Sequence, residues 1–272
     1  MENGEYTLAR VGINLSMKKD LFRVTKLTLA YVHEIVDVRD PNWATDEDED
    51  LRLQVGQEIN RSLAALLVRD TRRPFFDPLS GSVTRLGAQR AGGIFGGDNS
   101  FNKVSVSWSR YLGSYFGTVI ALSTRVGYAD AYGDSKDKGV PEYERFYAGG
   151  SGTIRGYDER EFGPGDFLLL ANIEMRYHLF WRIGGVAFID MGNAWPSIED
   201  VRGSDFSLIV DPEDYALRRD GDVKYSAGLG VGMQTPVGPF RIDYGFRIKR
   251  GTDESGNKES LGRFHLIMGH AF

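Results

Sequence analysis

The sequence has 272 residues but no cysteine, only four histidines and no long apolar run. Without cysteine the chain has no disulfide bonds, thiolate chemistry or cysteine-ligated zinc, and its redox compartment is left undetermined. A membrane-spanning helix requires about 18 consecutive apolar residues. The longest apolar runs, such as Leu63–Val68 and Phe167–Ala171, are much shorter. The sequence therefore excludes a helical membrane protein.

Positive charge is also scarce relative to negative charge. The net charge is −5 at pH 7, from 33 Lys and Arg against 38 Asp and Glu. A nucleic-acid-binding protein normally carries a basic face, so we expect no nucleic-acid partner. Met1 is followed by Glu2-Asn3-Gly4-Glu5 rather than by a basic and then apolar segment. Either the chain is cytosolic or its export signal lies outside this sequence.

Alternation of apolar and polar residues, with the period of a β-strand, recurs along most of the chain. Between Val223 and Thr235, odd positions up to Met233 are apolar, while even positions hold Lys, Ser, Gly or Gln. Phe240–Lys249 continues the pattern in the opposite phase, and Phe167–His178 carries polar and charged residues on one face of its second half. These segments predict strands with one apolar face and one face of charged residues or glycine.

The alternation predicts about eleven strands, and many are longer than the usual strand of about 5–6 residues. A tilted membrane strand needs about 9–11 residues for the apolar zone alone, so these lengths suit a membrane protein. The predicted strands are residues 7–18, 22–38, 52–69, 82–92, 101–112, 117–130, 167–178, 183–192, 223–235, 239–249 and 260–272.

The connections between the predicted strands are alternately short and long, as a barrel with one periplasmic and one extracellular rim requires. Short turns are predicted near Lys19-Asp20, Gly113-Ser114, Phe180-Trp181 and Pro236–Pro239. Long polar connections are predicted at residues 40–50, 131–166, 193–222 and 250–259. The long connection at residues 70–81 is an exception, because it falls on the short-turn side.

Aromatic residues gather where strands meet short turns, as in a membrane-interface girdle; they are Tyr111, Tyr115, Phe116, Tyr177, Phe180 and Trp181. A soluble β-sandwich also explains the alternation, with its apolar faces packed together and its charged faces in water. Strand length, connection pattern and aromatic positions together favour the other architecture. We predict an all-β fold, an antiparallel transmembrane β-barrel whose apolar faces meet lipid and whose polar faces line the lumen.

The odd strand count suggests that the barrel is incomplete. A single-chain bacterial barrel normally has an even number of strands. The predicted first and last strands would run parallel if they paired, which the antiparallel scheme forbids. We therefore expect about 11–12 strands of a larger barrel here. Residues 1–272 are interpreted as a single barrel domain, the C-terminal portion of a longer protein whose N-terminal periplasmic repeats are absent from this sequence.

The longest predicted loop carries the segment Glu144–Tyr157, which includes Gly149, Gly150 and the tripeptide Arg155-Gly156-Tyr157. This segment resembles the hallmark of the BamA/TamA family of outer-membrane assembly factors, the bacterial surface antigen barrels. That resemblance implies a loop whose Arg-Gly-aromatic tip is folded into the barrel. Further matches occur in the family's order, at Asp70–Gly81, Phe188–Trp195 and Pro236–Gly245, so the resemblance covers roughly residues 60–272.

An arginine in a glycine-rich hairpin tip can form charge-assisted hydrogen bonds to carboxylates inside a lumen. The alternation places Glu174 and Asp190 on the lumen-facing side of the two strands after the loop, and the resemblance assigns such acidic positions to contact with the motif arginine. We therefore predict an Arg155–Glu174–Asp190 cluster, with Gly156 allowing close approach and Tyr157 packing against the wall. The alternative is an exposed loop with a solvated Arg155 and ordinary lumen carboxylates.

The C-terminal segment places Phe264, Leu266, Met268 and Phe272 on one face of the last predicted strand. A terminal aromatic residue after alternating apolar positions resembles the recognition signal of outer-membrane barrel substrates. The plainer interpretation is a closing strand, and the two interpretations are compatible with each other.

Catalytic and ligand-binding chemistry has little support in the sequence. The four histidines are scattered among strands, and the alternating glycines of Gly228–Gly232 fit lumen positions without bulk better than a nucleotide loop. The acidic run Asp46–Asp50 fits a solvated loop tip better than a calcium site. We therefore expect no enzyme activity, metal site or cofactor.

The function implied by the resemblance is the assembly or insertion of outer-membrane proteins by an integral barrel of a Gram-negative outer membrane. The expected partners are membrane lipid, unfolded outer-membrane proteins and possible periplasmic or lipoprotein accessory proteins. The alternatives are a passive pore, a protein translocation barrel or the anchor of a passenger domain, all with this fold. A soluble β-sandwich binding module is the alternative with another fold.

Overall fold

The structure is a computed structural model that describes residues 7–39, 56–75, 77–113, 117–180, 182–202, 206, 221–235, 238–248, 250 and 259–268. Several sequence-based expectations fall outside the described residues. They concern the acidic run at 46–50, the aromatic residues Tyr115, Phe116 and Trp181, and the terminal Phe272.

The described residues form an all-β structure, as the alternation predicts. Its strands are β1 (Thr7–Phe22), β2 (Thr25–Arg39), β3 (Gly56–Asp70), β4 (Ser80–Ala91), β5 (Phe101–Gly113), β6 (Thr118–Ala131), β7 (Phe146–Ala148), β8 (Phe162–Gly165), β9 (Phe167–Phe180), β10 (Ile183–Trp195), β11 (Lys224–Thr235), β12 (Gly238–Arg247) and β13 (Gly262–Met268). Short 3-10 helices are present at Gly93–Phe95, Gly133–Ser135, Glu142–Glu144 and Ile198–Asp200. Within the described ranges, no helix has the length and apolar character needed to cross a membrane.

In the part of the chain that the structure describes, eleven strands form one sheet in the order β1-β2-β3-β4-β5-β6-β9-β10-β11-β12-β13, and β7 pairs with β8 in a separate hairpin. The eleven predicted strands are confirmed as these eleven. The predicted ends at 52–55 and 269–272 lie outside the described residues, and the other ends shift by a few residues. The β7–β8 hairpin lies inside the longest predicted loop and was not predicted, because its strands of 3 and 4 residues are too short to show an alternation.

Two predicted connections differ in the structure. The first short turn lies at Arg23-Val24 and not at Lys19-Asp20, because Asp20 remains paired with Lys26 across β1 and β2. The long connection at 70–81 is partly a continuation of the β3–β4 ladder. Thr71 N donates to Ser82 O at 2.8 Å, and Arg73 N donates to Ser80 O at 2.9 Å. The turn that remains beyond Arg73 and Ser80 is therefore short. This connection departs much less from the predicted alternation of short and long connections than the sequence suggested.

The chain divides into two compact units. The first comprises residues 1–68, 85–105 and 128–145, and the second comprises residues 69–84, 106–127 and 146–272. In the first unit, polar side chains such as Asn60 and Ser62 are buried while Val11 and Ile13 are exposed.

The second unit shows the same arrangement, with buried polar and exposed apolar side chains, more strongly. Ile173, Leu229 and Ile242 are 50%, 61% and 47% exposed, whereas Glu174 and Asp190 are fully buried. A soluble sandwich would bring these apolar residues into a shared dry interior, and the structure does not. Exposed apolar faces opposite buried charged faces are typical of strands that meet lipid on one side.

The aromatic pattern is only partly as predicted. Phe180 is exposed at the end of β9, as an interface residue would be, but Tyr111 is 1% exposed. Tyr111 packs with Val119 and Ala121 on the buried face, and the guanidinium of Arg176 lies 5.5 Å from its ring centroid. The prediction that Tyr111 belongs to an outward aromatic girdle is therefore wrong, because its position in the alternation of β5 turns it to the polar side.

The register of the last five strands brings polar residues of the buried face into neighbouring cross-strand positions. Asn172 of β9 pairs with Asp190 of β10, and Asp190 pairs with Ser226 of β11. In β12, Asp243 pairs with Gly230 on one side and with His265 of β13 on the other. The sheet thus presents carboxylates from separate strands to the same region of its buried face.

Candidate functional site

The tip of the long loop is a tight turn between β7 and β8. Gly150 N donates to Ile154 O at 3.1 Å, and Thr153 N donates to Gly150 O at 3.1 Å. Gly149 and Gly150 have φ values of 99° and 100°, which side chains with a Cβ rarely adopt. Their positive φ values explain why this turn contains a Gly-Gly pair.

The four residues Ile154–Tyr157 at the end of this turn are all buried. Tyr157 packs edge-on against Phe162, with ring centroids 5.0 Å apart, and its hydroxyl donates to Tyr225 O at 3.3 Å. The apolar cluster beneath the tip consists of Ala148, Ile154, Tyr157, Phe162, Leu168, Leu170 and Ala194.

Arg155 makes the densest set of polar contacts in this region. Its backbone N and its Nε donate to Asp190 Oδ2 at 3.0 and 2.7 Å, and its Nη2 donates to Asp190 Oδ1 at 2.7 Å. Its Nη1 donates to Glu174 Oε1 at 2.5 Å and to Asp243 Oδ2 at 3.0 Å. The planar guanidinium fork therefore engages carboxylates of β9, β10 and β12 at once.

Two further arginines balance the charge of this cluster. Arg176 Nη2 lies 2.8 Å from Glu174 Oε2, and Arg241 Nη2 lies 3.1 Å from Glu174 Oε1 and 2.9 Å from Asp243 Oδ2. With Arg155, three guanidinium groups face the three carboxylates of Glu174, Asp190 and Asp243. Buried charges are tolerated when they are paired and hydrogen-bonded in this way.

The guanidinium of Arg155 remains charged in this setting. Burial lowers the pKa of Arg155, but the hydrogen bond and charge of Asp190, together with the charges of Glu174 and Asp243, raise it above its ordinary value. The face of the guanidinium also lies over the ring of Phe188, 3.5 Å from the centroid. A permanently charged Arg155 can therefore act as a fixed electrostatic link between loop and sheet.

Close backbone contact between the tip and β12 depends on two glycines. Gly156 has a φ of 94°, and a Cβ added there would lie 2.8 Å from Gly245 O. A Cβ added at Gly245 would lie 2.5 Å from Gly156 N and 2.6 Å from the carbonyl carbon of Arg155. The tip can reach its carboxylate partners only because both positions lack a side chain.

We expect Gly245→Ala to push the tip away from β12 and to make the loop more sensitive to protease, because backbone atoms occupy the space of the new methyl group. Alanine is otherwise the better strand residue. A loss of stability would therefore indicate that the new methyl group disturbs the contact between the loop tip and β12. The measurements are the rate of proteolysis within residues 132–166 and the temperature of the heat-induced gel shift.

The matched control for that variant is Gly152→Ala, because an added Cβ at Gly152 meets nothing within 4 Å. We expect Gly152→Ala to leave the proteolysis rate and the gel-shift temperature unchanged. Equal behaviour of the two variants would contradict the close packing of the tip on β12.

The first arm of the loop is anchored separately, within the first unit. Tyr143 Oη accepts from Asn60 Nδ2 at 2.7 Å and donates to Glu58 Oε2 at 2.9 Å. Burial raises the pKa of Tyr143, which keeps its hydroxyl a neutral donor. Glu144 pairs with Arg10 Nη1 at 3.5 Å and with Lys103 Nζ at 3.4 Å.

The structure brings together the predicted residues Arg155, Glu174 and Asp190, and places Gly156 and Tyr157 in contact with the sheet. The C-terminal residues Phe264, Leu266 and Met268 are exposed along one face of β13, opposite the buried His265. Sequence reasoning missed Asp243, Arg241, Arg176 and Gly245. The alternation of β12 places Asp243 and Gly245 on the polar face, but nothing in the sequence indicated that the loop tip reaches this strand.

Comparison with known proteins gives the family. The chain matches the Omp85 superfamily domain over residues 2–272. The chain belongs to the Omp85 superfamily. It is 29% identical over 246 residues to the outer membrane protein assembly factor BamA of Nitratidesulfovibrio vulgaris, which is 88% of this chain and 28% of that protein. It is 35% identical over 233 residues to a SAM50-like protein of Schizosaccharomyces pombe, which is 76% of this chain and 44% of that protein.

A solved structure shows the same fold. The Omp85 chain resembles the crystal structure of BamA from Haemophilus ducreyi lacking POTRA domains 1-3, with a TM-score of 0.73 and 18% sequence identity. The match covers 96% of this chain and 55% of that chain. The predicted antiparallel transmembrane β-barrel fold, the BamA-type resemblance and the outer-membrane localisation are therefore confirmed. This Omp85 chain spans less than half the length of the two relatives above.

Proposed function

We propose that this Omp85 chain supplies the membrane barrel of a factor that assembles or inserts outer-membrane proteins. The observation that carries the proposal is the superfamily match over residues 2–272, with assembly factors named BamA among the relatives. Its substrates would be unfolded outer-membrane proteins, and its surroundings would be membrane lipid. Periplasmic or lipoprotein accessory partners are part of the same proposal.

The physical basis for such an activity is strand pairing. In the strand order of the described residues, β13 forms one edge of the eleven-stranded sheet. A sheet edge presents backbone N–H and C=O groups that can pair with an incoming strand. A barrel that opens beside its last strand would therefore offer a template on which a substrate strand acquires its hydrogen bonds before it meets lipid.

The Arg-Gly-Tyr tip would brace the wall next to that edge. Arg155 contacts carboxylates on β9, β10 and β12, so one side chain cross-links three strands of the second unit. These strands lie next to β13 or within a few strands of it in the sheet order. We propose that the tip keeps this wall rigid while β13 moves, and that no bond is broken in the cluster.

The test compares the full chain in planar bilayers and proteoliposomes with a variant in which a short linker replaces residues 146–165. For an assembly factor we expect low steady conductance and measurable insertion of a test barrel protein. The loop replacement should raise the conductance and abolish insertion. The Gly152→Ala variant serves as the control with an intact loop.

A passive pore would give a different result in the same experiment. A pore would conduct steadily with the loop present, and replacement of the loop would not change the insertion of the test protein. Release of the test protein as soluble cargo, without integration, would instead favour a translocation barrel. Either result would overturn the proposed assembly function.

A further inference from the structure

The peptide groups of Gly156 are held on two sides by side chains of the last two strands. Gly156 N donates to His265 Nε2 at 2.8 Å, and Arg247 Nε donates to Gly156 O at 2.8 Å. His265 and Arg247 are both buried. We propose that His265 is a positioning residue that fastens β13 to the loop tip, with its imidazole Nε2 as hydrogen-bond acceptor and Arg247 holding the neighbouring carbonyl.

The hydrogen bond fixes the chemical state of His265. A backbone N–H can only donate, so Nε2 must carry no proton and the neutral ring must carry its proton on Nδ1. In the other neutral tautomer, with the proton on Nε2, the imidazole N–H and the Gly156 N–H would face each other as two donors across 2.8 Å. The fastening therefore depends on one tautomer of one imidazole and not simply on its volume.

The neighbouring contacts support a role in positioning β13 specifically. His265 pairs in register with Asp243, so it lies beside a carboxylate that Arg155 contacts. Arg247 is itself oriented by Glu161 Oε2 at 3.0 Å and by Glu259 Oε2 at 3.4 Å. A second link between β13 and the loop, Arg263 to Asp158 at 2.6 Å, is about half exposed, and exposed pairs contribute little.

Movement of β13 away from the tip would leave Gly156 N–H without its acceptor in a buried site, which is unfavourable. The loop would therefore resist displacement of the last strand. This functional consequence depends on the proposed assembly function, in which β13 is displaced. The hydrogen bond itself does not depend on that function.

The experiment uses the full chain with Ile154→Cys as a labelling site in the buried tip, and measures its reaction rate with a maleimide. His265→Leu keeps an apolar volume but removes the acceptor, and we expect it to raise the labelling rate about tenfold, as the loss of one buried hydrogen bond would. His265→Gln can place its Oε1 near the position of Nε2, so we expect it to stay within about twofold of the parent rate.

Two outcomes would overturn the proposal. One is a labelling rate in His265→Leu equal to that of the parent. The other is an equal increase in both His265 variants, which would assign the effect to ring packing and not to the acceptor. The gel-shift assay checks that each variant is folded.

A second measurement applies if the leucine variant does not fold. Nitrogen NMR of the parent protein labelled at histidine, with His265 assigned by comparison with the glutamine variant, should show a proton on Nδ1 and none on Nε2. A proton on Nε2 would overturn the proposal. Insertion assays on the same variants test the functional consequence separately. If the tip is labelled faster but insertion is normal, the hydrogen bond stands and its proposed role in assembly is wrong.

Discussion

Replacement of Arg155 by alanine is expected to destabilise the folded protein by about 3–5 kcal/mol, because removing one partner from a buried ion pair leaves uncompensated charge. Among the described residues, Arg176 and Arg241 would remain as counter-charges of Glu174 and Asp243. Asp190 would lose its bidentate partner. We expect faster proteolysis within residues 132–166 and a lower temperature for the heat-induced gel shift.

Two other arginine substitutions complete this test. The first separates the charge of Arg155 from the geometry of its guanidinium group, and the second is a control. Arg155→Lys retains the charge but not the fork that reaches three strands, so we expect an intermediate loss. Arg160→Ala is the matched control, because Arg160 is exposed in the same loop and lies over the ring of Tyr147, a contact that contributes about 1 kcal/mol or less at such sites. If Arg155→Ala leaves both proteolysis and the gel shift unchanged, the cluster does not hold the loop.

The second large effect is expected on the opposite face of the sheet. Leu229 lies in the middle of β11 and is 61% exposed. If its surroundings are lipid, Leu229→Arg should destabilise the inserted barrel by about 2–4 kcal/mol near the bilayer midplane. In a soluble protein the same exposed position would accept arginine with little change in stability.

The measurement for that prediction is denaturant unfolding of the barrel in phospholipid vesicles. Leu229→Phe is the control, since it keeps the side chain apolar and should change stability much less than arginine does. Equal stability of the arginine variant and the parent protein would mean that this face does not meet hydrocarbon.

Much of the fold could be predicted from the sequence because each strand repeats one simple pattern. The alternation of β11 and β12 gives both the strands and the face to which each side chain points, and the burial of Asp243 and the exposure of Leu229 follow it. The wrong predictions occur where a local feature of the sequence suggests one structure and the pairing or alternation of the strand produces another. Lys19-Asp20 looks like a turn because two charges interrupt the alternation, yet cross-strand pairing continues through it. Tyr111 looks like an interface residue because it lies near a turn, yet its phase turns it inward.

The candidate site was less accessible from the sequence. Arg155, Glu174 and Asp190 could be named because a family motif and strand phase pointed to the same region. Asp243 and Gly245 lie on the correct face, but their proximity to the tip depends on how a loop of more than thirty residues returns to β12. The hydrogen bond from Gly156 N to His265 has no sequence signal at all, because its donor belongs to the backbone.

The proposals above all depend on burial of the Arg-Gly-Tyr tip against the charged face of the sheet. The sequence contains no cysteine, so a cysteine introduced at Ile154 is the only thiol within these 272 residues and reports directly on the tip. Ile154 is fully buried and Gly152, in the same turn, is exposed. In the full chain in its membrane, we predict that a maleimide labels Ile154→Cys far more slowly than Gly152→Cys. Equal labelling rates at the two positions would mean that the tip is not buried against the sheet.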